Sequence, residues 1–509
     1  MDFSSNDLKQ LQEQHIEPAK AARQLNLLRI GQVDTKLERA CTVGDGIVRL
    51  QFGTQASLNK AFATAAARGR LQRFVPASGA ASRMFSPLQV EPAVLEACRA
   101  ARPDPGATPE ELNLRRFLDE LHAFAFYTDL QKAIAEDGYD LQQAVADRDL
   151  ALIIRYLLEP CGLCYAGLPK GLLAFHRVAD GTRSPFIEHL AEAALLNDLD
   201  GTVALHFTVS VEHLPLFKAQ LAAWRSVLEE TYGCRFDVTY STQKPATDTL
   251  ALDSDGEPLR DNAGRLVLRP GGHGALLENL NDLAGDIILV RNIDNVVPDA
   301  RKQTNLEWTR LLTGYLLVVQ EEQHALLKAL HEQPHDPVVR EMVVAFLADR
   351  LQMDVSLAND SKVLLERLDR PLRVCGMVPN SGEPGGGPFW VRDARGRITR
   401  QIVEGAQINQ CNPDQAAILN RATHFNPVDM VCGVSDWRGS PYDLSRFVDQ
   451  DAVIITSKRQ DGREARVLEL PGLWNGGMAY WHTLFVEIPP QAFNPVKTLF
   501  DLLRPAHQA

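Results

Sequence analysis

The sequence has no surplus of positive charge. Its 509 residues carry 53 Lys and Arg against 65 Asp and Glu, a formal net charge of −12. A general polynucleotide or anionic-membrane binder needs the opposite balance, so neither nucleic acid nor membrane is expected as a partner. Local cationic loops for small phosphates stay open. Long apolar runs are also missing. The stretches 316–319 (LLVV) and 287–290 (IILV) fall far short of a membrane span. The opening MDFSSNDLKQLQEQ has no basic n-region and no apolar h-region, so no secretory signal is expected. The 8 cysteines are scattered, as in a reduced compartment, and a cytoplasmic location is expected. Cys161 and Cys164 form a C-x-x-C in a Gly-containing loop. No second pair stands at zinc-site spacing, so two loop thiols are expected. With 45% hydrophobic and 23% charged residues, disorder, collagen and coiled coil are excluded as the main state.

What is present is an alternation of strand and helix signals. Residues 1–70 read as helix with one interruption, from Leu8, Leu11, Ile16, Ala19, Ala22 and Leu25. Strands are expected at 71–75, 203–210, 236–241 and 286–291. Helices are expected from the capping box at Thr108–Glu111 to about 158, at 213–232, and through most of 304–351. Alternating elements imply an α/β fold with a mainly parallel sheet. The expected organisation is a helical region 1–70, a core 71–410 with helical insertions at 86–158 and 303–365, and a C-terminal part 411–509 that completes the site. No internal repeat and no long linker is evident.

Several loops carry candidate chemistry. After the strand at 71–75 comes Ala77-Ser78-Gly79-Ala80-Ala81-Ser82-Arg83. Side chains this small let backbone N–H groups approach a phosphate or base, and an arginine beside them offers a planar charged fork. The same residues also suit a tight strand–helix turn. Lys170 sits between Pro169 and Gly171, as a phosphate cation or as a solvated surface lysine. Arg269-Pro270-Gly271-Gly272-His273-Gly274 opens the expected helix ALLENLNDL. Asp294 ends the apolar strand at 286–291, where parallel sheets bind ligands and where an Asx turn is equally at home. Mg²⁺ is commonly held by one or two carboxylates plus substrate phosphates.

These segments resemble the nucleotide-sugar pyrophosphorylases, and among them the UDP-sugar branch. Residues 77–84 resemble the A-G-G-x-G-T-R-L/M loop, departing at Ser78 and Ala81. Leu168-Pro169-Lys170-Gly171 resembles its P-K-G element, although 87 positions separate Lys170 from Arg83, which implies an inserted helical subdomain. PGGHG resembles the uridine loop, NIDN the N-x-D-N metal strand, and residues 236–245 the F-x-Q-x-x-x-P segment. Residues 203–213 resemble a strand ending in a substrate-facing Ser. Val403-Glu404 resembles V-V-E, and Asn426 falls on the F-N-T-N-N element. Residues 493–503 resemble F-x-P-V-K-x-x-x-D-L-L. Where many relatives carry a second metal-binding Asp, this chain has His482 or Thr483. The chain also resembles a bacterial family carrying the same VPASGA, RPGGHGAL and FNPVK segments.

The resemblance implies a GT-A-like (Rossmann-like), mainly parallel mixed sheet flanked by helices. It implies a nucleotidyltransferase joining an NTP, with UTP first, to a sugar 1-phosphate with Mg²⁺. The implied catalytic residues are Arg83, Lys170, Asp294 and Lys497, with Asp294 on the metal. The implied nucleotide contacts are Ser78, Gly79, Ala80, Gln243, Gly272, His273 and Gly274. Ser210, Glu404 and Asn426 would face the sugar. Two other readings stand beside it. A GT-A-type glycosyltransferase would use a D-x-D motif, available in letters at Asp253-Ser254-Asp255 and Asp198-Leu199-Asp200, the first of which reads better as a hairpin turn. A non-catalytic nucleotide-sugar-binding protein would tolerate Ala81 and the missing second Asp.

Overall fold

A computed structural model describes all residues except 1–2, 32, 101–105, 180, 197–200, 356–359, 381, 383–384, 394–395, 461–462 and 509. The fold class is α/β, with a largely parallel sheet flanked by helices. The chain divides into two compact units. The first comprises Met1–Phe74, Ser241–Val290 and Trp308–Pro490, and the second Val75–Tyr240, Arg291–Glu307 and Gln491–Ala509.

In the first unit the strands Thr42–Val43, Gly46–Val48, His482–Glu487, Leu372–Pro379, Asp429–Gly433, Ile287–Arg291 and Leu71–Pro76 follow one another in that order; the last two belong here through Val290 and Phe74. His482–Glu487 runs parallel to Leu372–Pro379, Ile287–Arg291 runs parallel to Leu71–Pro76, and Asp429–Gly433 is antiparallel to Leu372–Pro379. Ile287–Arg291 is buried along its whole length, which explains its unbroken apolar sequence. Phe74, Ile288, Val290, Cys375, Met430 and Phe485 share one core.

The N-terminal reading needs one correction. The helices Ser5–Glu13, Pro18–Ile30 and Gln55–Ala67 are present, but Leu37–Ala40, Thr42–Val43 and Gly46–Val48 are strands. β-Branched Thr42, Val43, Ile47 and Val48 favour a pleated surface, and Gly44 and Gly46 stand at φ 89° and 95°, which no helix accommodates.

In the second unit the strand Thr202–Thr208 is followed by the helix Leu214–Tyr232 and the neighbouring strand Arg235–Ser241. Gly233, left-handed at φ 64°, stops that helix. The stretch 86–158 is largely helical, with Pro92–Ala97, Pro109–Asp119, Tyr127–Glu136, Leu141–Ala146 and Leu150–Leu158. Its Thr108 capping box is formed, the hydroxyl accepting from the Glu111 N–H at 3.2 Å. Phe117, Phe124, Phe126 and Leu157 bury themselves together with Val496, Leu499 and Leu502. This stretch therefore fixes the C-terminal segment that follows FNPVK. Among the described residues no helix is long and apolar enough to cross a membrane.

Candidate functional site

The residues expected to handle phosphate all lie in the second unit. The strand Leu71–Pro76 delivers the chain into the small-residue loop, where the Ala77 N–H donates to Thr208 O at 2.8 Å. Ser78, Gly79 and Ala80 are exposed, and so is Arg83, in the 3-10 turn Ser82–Leu88. Ala81 stands at φ −82°, so the position where the resembling loops carry glycine needs none here. The 87-residue gap to Lys170 closes in space. The Ala81 N–H donates to Leu168 O at 3.2 Å, and the Lys170 N–H donates to Gly79 O at 3.1 Å. A Cβ at Gly171 would meet the Ile293 and Phe217 side chains at 3.2 Å, so any larger residue would have to push them back by a few tenths of an ångström.

That packing sets the central contact. The Lys170 ammonium donates to Asp294 Oδ2 at 3.0 Å and to Val496 O at 2.7 Å. Both side chains are mostly buried, at 17% and 19% exposure. The Val496 N–H returns to Asp294 O at 3.2 Å. Asn295, fully buried, accepts from the Asn494 N–H at 2.9 Å and donates to Ala492 O at 3.4 Å. Lys497 is exposed, its turn held by Asp501, whose Oδ2 accepts from the backbone of Lys497 and Thr498. Ser210 lies in this unit as well. Its hydroxyl meets His213 Nδ1 at 2.7 Å, and His213 Nε2 donates to Gly167 O at 2.9 Å, just before the lysine loop.

Gln243, Gly272, His273, Gly274, Glu404 and Asn426 lie in the first unit. Thr249 and Arg269 exchange backbone hydrogen bonds at 2.7 and 2.9 Å, which lays the Gln243 segment along the glycine loop. Gln243 itself donates to Asp248 at 3.4 Å. The loop glycines answer to the protein's own packing. A Cβ would fall 2.4 Å from Thr247 O at Gly271 and 2.3 Å from Pro471 O at Gly274. Gly272 adopts φ 73°. The helix that follows is only Leu276–Asn281.

His273 stacks on Trp474, ring centroids 4.3 Å apart, and its Nδ1 accepts from the Leu473 N–H at 3.2 Å. Burial holds the imidazole down at about 4, against the nearby Glu469 carboxylate, so it is neutral with its proton on Nε2. Nε2 stands 3.8 Å from Glu404 Oε1, beyond hydrogen-bond length. Burial pushes the Glu404 carboxyl up, while the Trp474 indole N–H pulls the other way. A donor and an acceptor thus face each other across a gap that a hydroxyl could bridge. Nothing in the sequence pattern marked Trp474 apart from its place in a glycine-flanked loop. Asn426 is buried; its Oδ1 accepts from the Val428 N–H at 3.1 Å, and its Nδ2 has no partner. Val428 is held at φ 59°, a costly conformation for a β-branched residue.

Other expectations resolve simply. Asp253 is a turn residue, its Oδ1 accepting from the backbone of Asp255 and Glu257. Asp198 and Asp200 lie outside the described residues, as do Glu383 and Pro384 of the Gly/Pro loop. His482 and Thr483 stand where many of the resembling proteins carry a second metal-binding Asp. They open the strand His482–Glu487 and are buried, His482 against Leu368 O and Thr483 accepting from Arg373 Nε. Cys161 and Cys164 are free thiols. Among the described residues no group of three or more His, Cys, Asp or Glu could hold a metal ion.

No curated protein matches the sequence. Similar solved structures include a mutant UDP-glucose pyrophosphorylase from Leishmania major in complex with UDP-glucose, at 12% identity, 99% of this chain and 79% of that chain covered, and TM-score 0.45. The UDP-glucose phosphorylase from Trypanosoma brucei matches at 12% identity, 99% and 80% coverage, and TM-score 0.44. The uridine diphosphate N-acetylglucosamine pyrophosphorylase from Trypanosoma brucei, in complex with inhibitor, matches at 13% identity, 98% and 79% coverage, and TM-score 0.49. A family model described as "Domain of unknown function (DUF4301)" matches residues 4–508, and the chain belongs to that family.

Proposed function

We propose that the protein is a nucleotidyltransferase that joins an NTP, with UTP preferred, to a sugar 1-phosphate and releases pyrophosphate. The observation that carries this reading is the Lys170–Asp294–Val496 contact, which assembles three segments singled out separately in the sequence. In such a reaction a phosphate oxygen of the sugar 1-phosphate attacks the α-phosphorus, so the protein's work is positioning and charge neutralisation. Arg83, exposed beside the Ser78–Ala80 backbone, binds the leaving pyrophosphate. Lys170 and Lys497 neutralise the transferring and sugar phosphates. Gln243 and the backbone of the PGGHG loop read the base. Glu404 accepts from a hydroxyl of the sugar, with the His273 Nε2–H as donor opposite, and Asn426 adds a further sugar contact.

Among the described residues Asp294 belongs to no group of three or more metal-binding side chains, and a single carboxylate fits a Mg²⁺ that arrives on the phosphates of the nucleotide. Asp294 would hold it, and when bound it supplies charge neutralisation on the phosphates.

The test is pyrophosphate release from each of the four NTPs with a panel of sugar 1-phosphates and Mg²⁺, alongside thermal shifts with the same nucleotides. Release with one base preferred is expected. Nucleotide-sugar binding without release would leave the binding-only reading, UDP-sugar hydrolysis alone would favour the glycosyltransferase, and no shift with any nucleotide would sink the proposal.

A further inference from the structure

Two arginines of the first unit, Arg373 and Arg400, are buried without a carboxylate, and Arg370 is half-buried without one. Arg400 is 5% exposed, and its guanidinium donates to Leu351 O at 2.7 Å, Gln352 Oε1 at 3.4 Å and Gly46 O at 3.5 Å. Arg373 is fully buried, bonded to Thr483 Oγ1 at 2.9 Å and Trp474 O at 2.7 Å, and its Nη2 has no partner. Arg370 donates to Glu366 O at 3.2 Å and Tyr480 O at 3.3 Å. Among the described residues none of the three has an acidic side chain within ion-pair distance. The neighbouring thiols supply no negative charge either, because burial pushes Cys41 and Cys375 up and keeps them protonated. Charge buried in this way carries a large desolvation penalty unless something neutralises it.

Arg370, Arg400, Gln352, Trp481 and Thr483 line a cavity of about 30 Å³. Trp481 is 4% exposed, and its indole N–H has no acceptor. Gln352 is held in the left-handed region at φ 51°, a conformation that costs energy and keeps its carbonyl beside Arg400. His482, on the same wall, is neutral and spends its Nε2–H on Leu368 O, so it supplies no negative charge. The wall thus offers charged and neutral donors together and no anion of its own. The free volume suits one or two groups the size of water and is too small for a nucleotide or a sugar phosphate.

We propose that this cavity is a binding site for a small inorganic anion of halide size, held by Arg370, Arg400 and the Trp481 indole N–H. The anion supplies the counter-charge that the fold withholds from its buried arginines. Its lining includes none of the residues assigned to nucleotidyl transfer, and it does not depend on that assignment.

The experiment is thermal melting of the full chain in phosphate-free buffer, with sodium chloride against sodium gluconate at equal ionic strength. Chloride should raise Tm saturably, on the order of 2 °C above gluconate. Trp481→Phe keeps the aromatic body and should raise the half-saturating chloride concentration about tenfold, as expected for one lost charged hydrogen bond. Arg400→Gln should abolish the difference. If Arg400→Gln does not fold, Trp481→Phe and a bromide-soaked crystal decide, the crystal by an anomalous peak inside the cavity. Equal Tm in the two salts, a chloride effect unchanged by Trp481→Phe, or no bromide peak in the cavity would each overturn the site.

Discussion

Lys170 and Asp294, 124 positions apart, meet at 3.0 Å, and the lysine also holds the Val496 carbonyl at 2.7 Å. One ammonium therefore joins the lysine loop, the end of a buried strand and the C-terminal FNPVK segment. In this state the pair neutralises itself. A nucleotide carrying Mg²⁺ would give each partner a new one, the carboxylate turning to the metal and the ammonium to phosphate. Asp294→Asn keeps the shape and should fold, yet it should lose Mg²⁺-dependent nucleotide binding and about 100-fold or more of pyrophosphate release. Lys170→Met should lose activity to a similar degree and destabilise by about 1–2 kcal/mol, since a mostly buried charged hydrogen bond goes with it. Pyrophosphorolysis retained in both variants would remove this pair from the site.

The glycines separate into two kinds, and alanine scanning should tell them apart. At Gly274 a Cβ would sit 2.3 Å from Pro471 O, and at Gly271 2.4 Å from Thr247 O. Gly274→Ala should cost about 1–3 kcal/mol in chemical denaturation, as overpacking does. Gly79 has nothing within 4 Å of its would-be Cβ and no left-handed φ, so the fold gives no reason for glycine there. Gly79→Ala should leave stability within about 0.5 kcal/mol. If phosphate approaches that backbone, the same variant should raise the KM for nucleotide. A Gly79→Ala protein with normal KM would return the loop to a simple turn.

Much of this was legible in the sequence, for identifiable reasons. The strand at 287–291 announced itself because burial on both faces removes every polar residue from it before Arg291. The helix Leu214–Tyr232 ended where Gly233 allowed a left-handed cap. The loops around Gly79 and Lys170 could be named but not joined, because 87 positions separate Arg83 from Lys170 and backbone pairing, with the Ala81 and Lys170 N–H groups as donors, brings the loops together in space. The short strands at 37–48 were hidden by flanking helical periodicity. Glu188 and Glu192 were invisible as well. Carboxylates in PFIEHLAEAALL look like a solvated face, yet both are fully buried because Lys302 and Arg291 reach them from a distant segment.

Acid should destabilise the fold earlier than its carboxylates alone would suggest. Burial lowers His273 to about 4, His482 to about 3 and His507 to about 4, so the folded state keeps all three neutral. Unfolded, each has the ordinary value near 6.5 and binds its proton first. Stability is then fully present above pH 6.5 and falls as pH drops toward 4, each histidine contributing on the order of a few kcal/mol. Glu404, whose carboxyl burial raises, opposes the trend weakly. Asp7, held down at about 2 by Arg260, acts only below this window. Urea denaturation at pH 7.5, 6.0 and 5.0 should show the decline, and His482→Gln should flatten it. Equal stability at the three values would contradict the neutral assignment.

The buried charges behind the NIDN turn should be strongly coupled. Glu188 is fully buried and receives Lys302 on one oxygen and His176 Nδ1, at 2.9 Å, on the other. Lys302 also donates to Asp299 at 2.7 Å, and Arg183 reaches the same carboxylate at 2.9 Å. Burial alone would push the Glu188 carboxyl up, but His176 and Lys302 outweigh it and keep it ionised. Lys302→Met removes one of the two partners of a fully buried carboxylate and leaves its charge under-compensated, so it should cost about 3–5 kcal/mol. Glu188→Gln in the same chain removes that charge. The double variant should therefore be more stable than Lys302→Met alone, with a coupling of about 0.5–3 kcal/mol. Additive losses in the double-mutant cycle would mean that Asp299 and solvent already satisfy Lys302, and that the pair matters less than its burial implies.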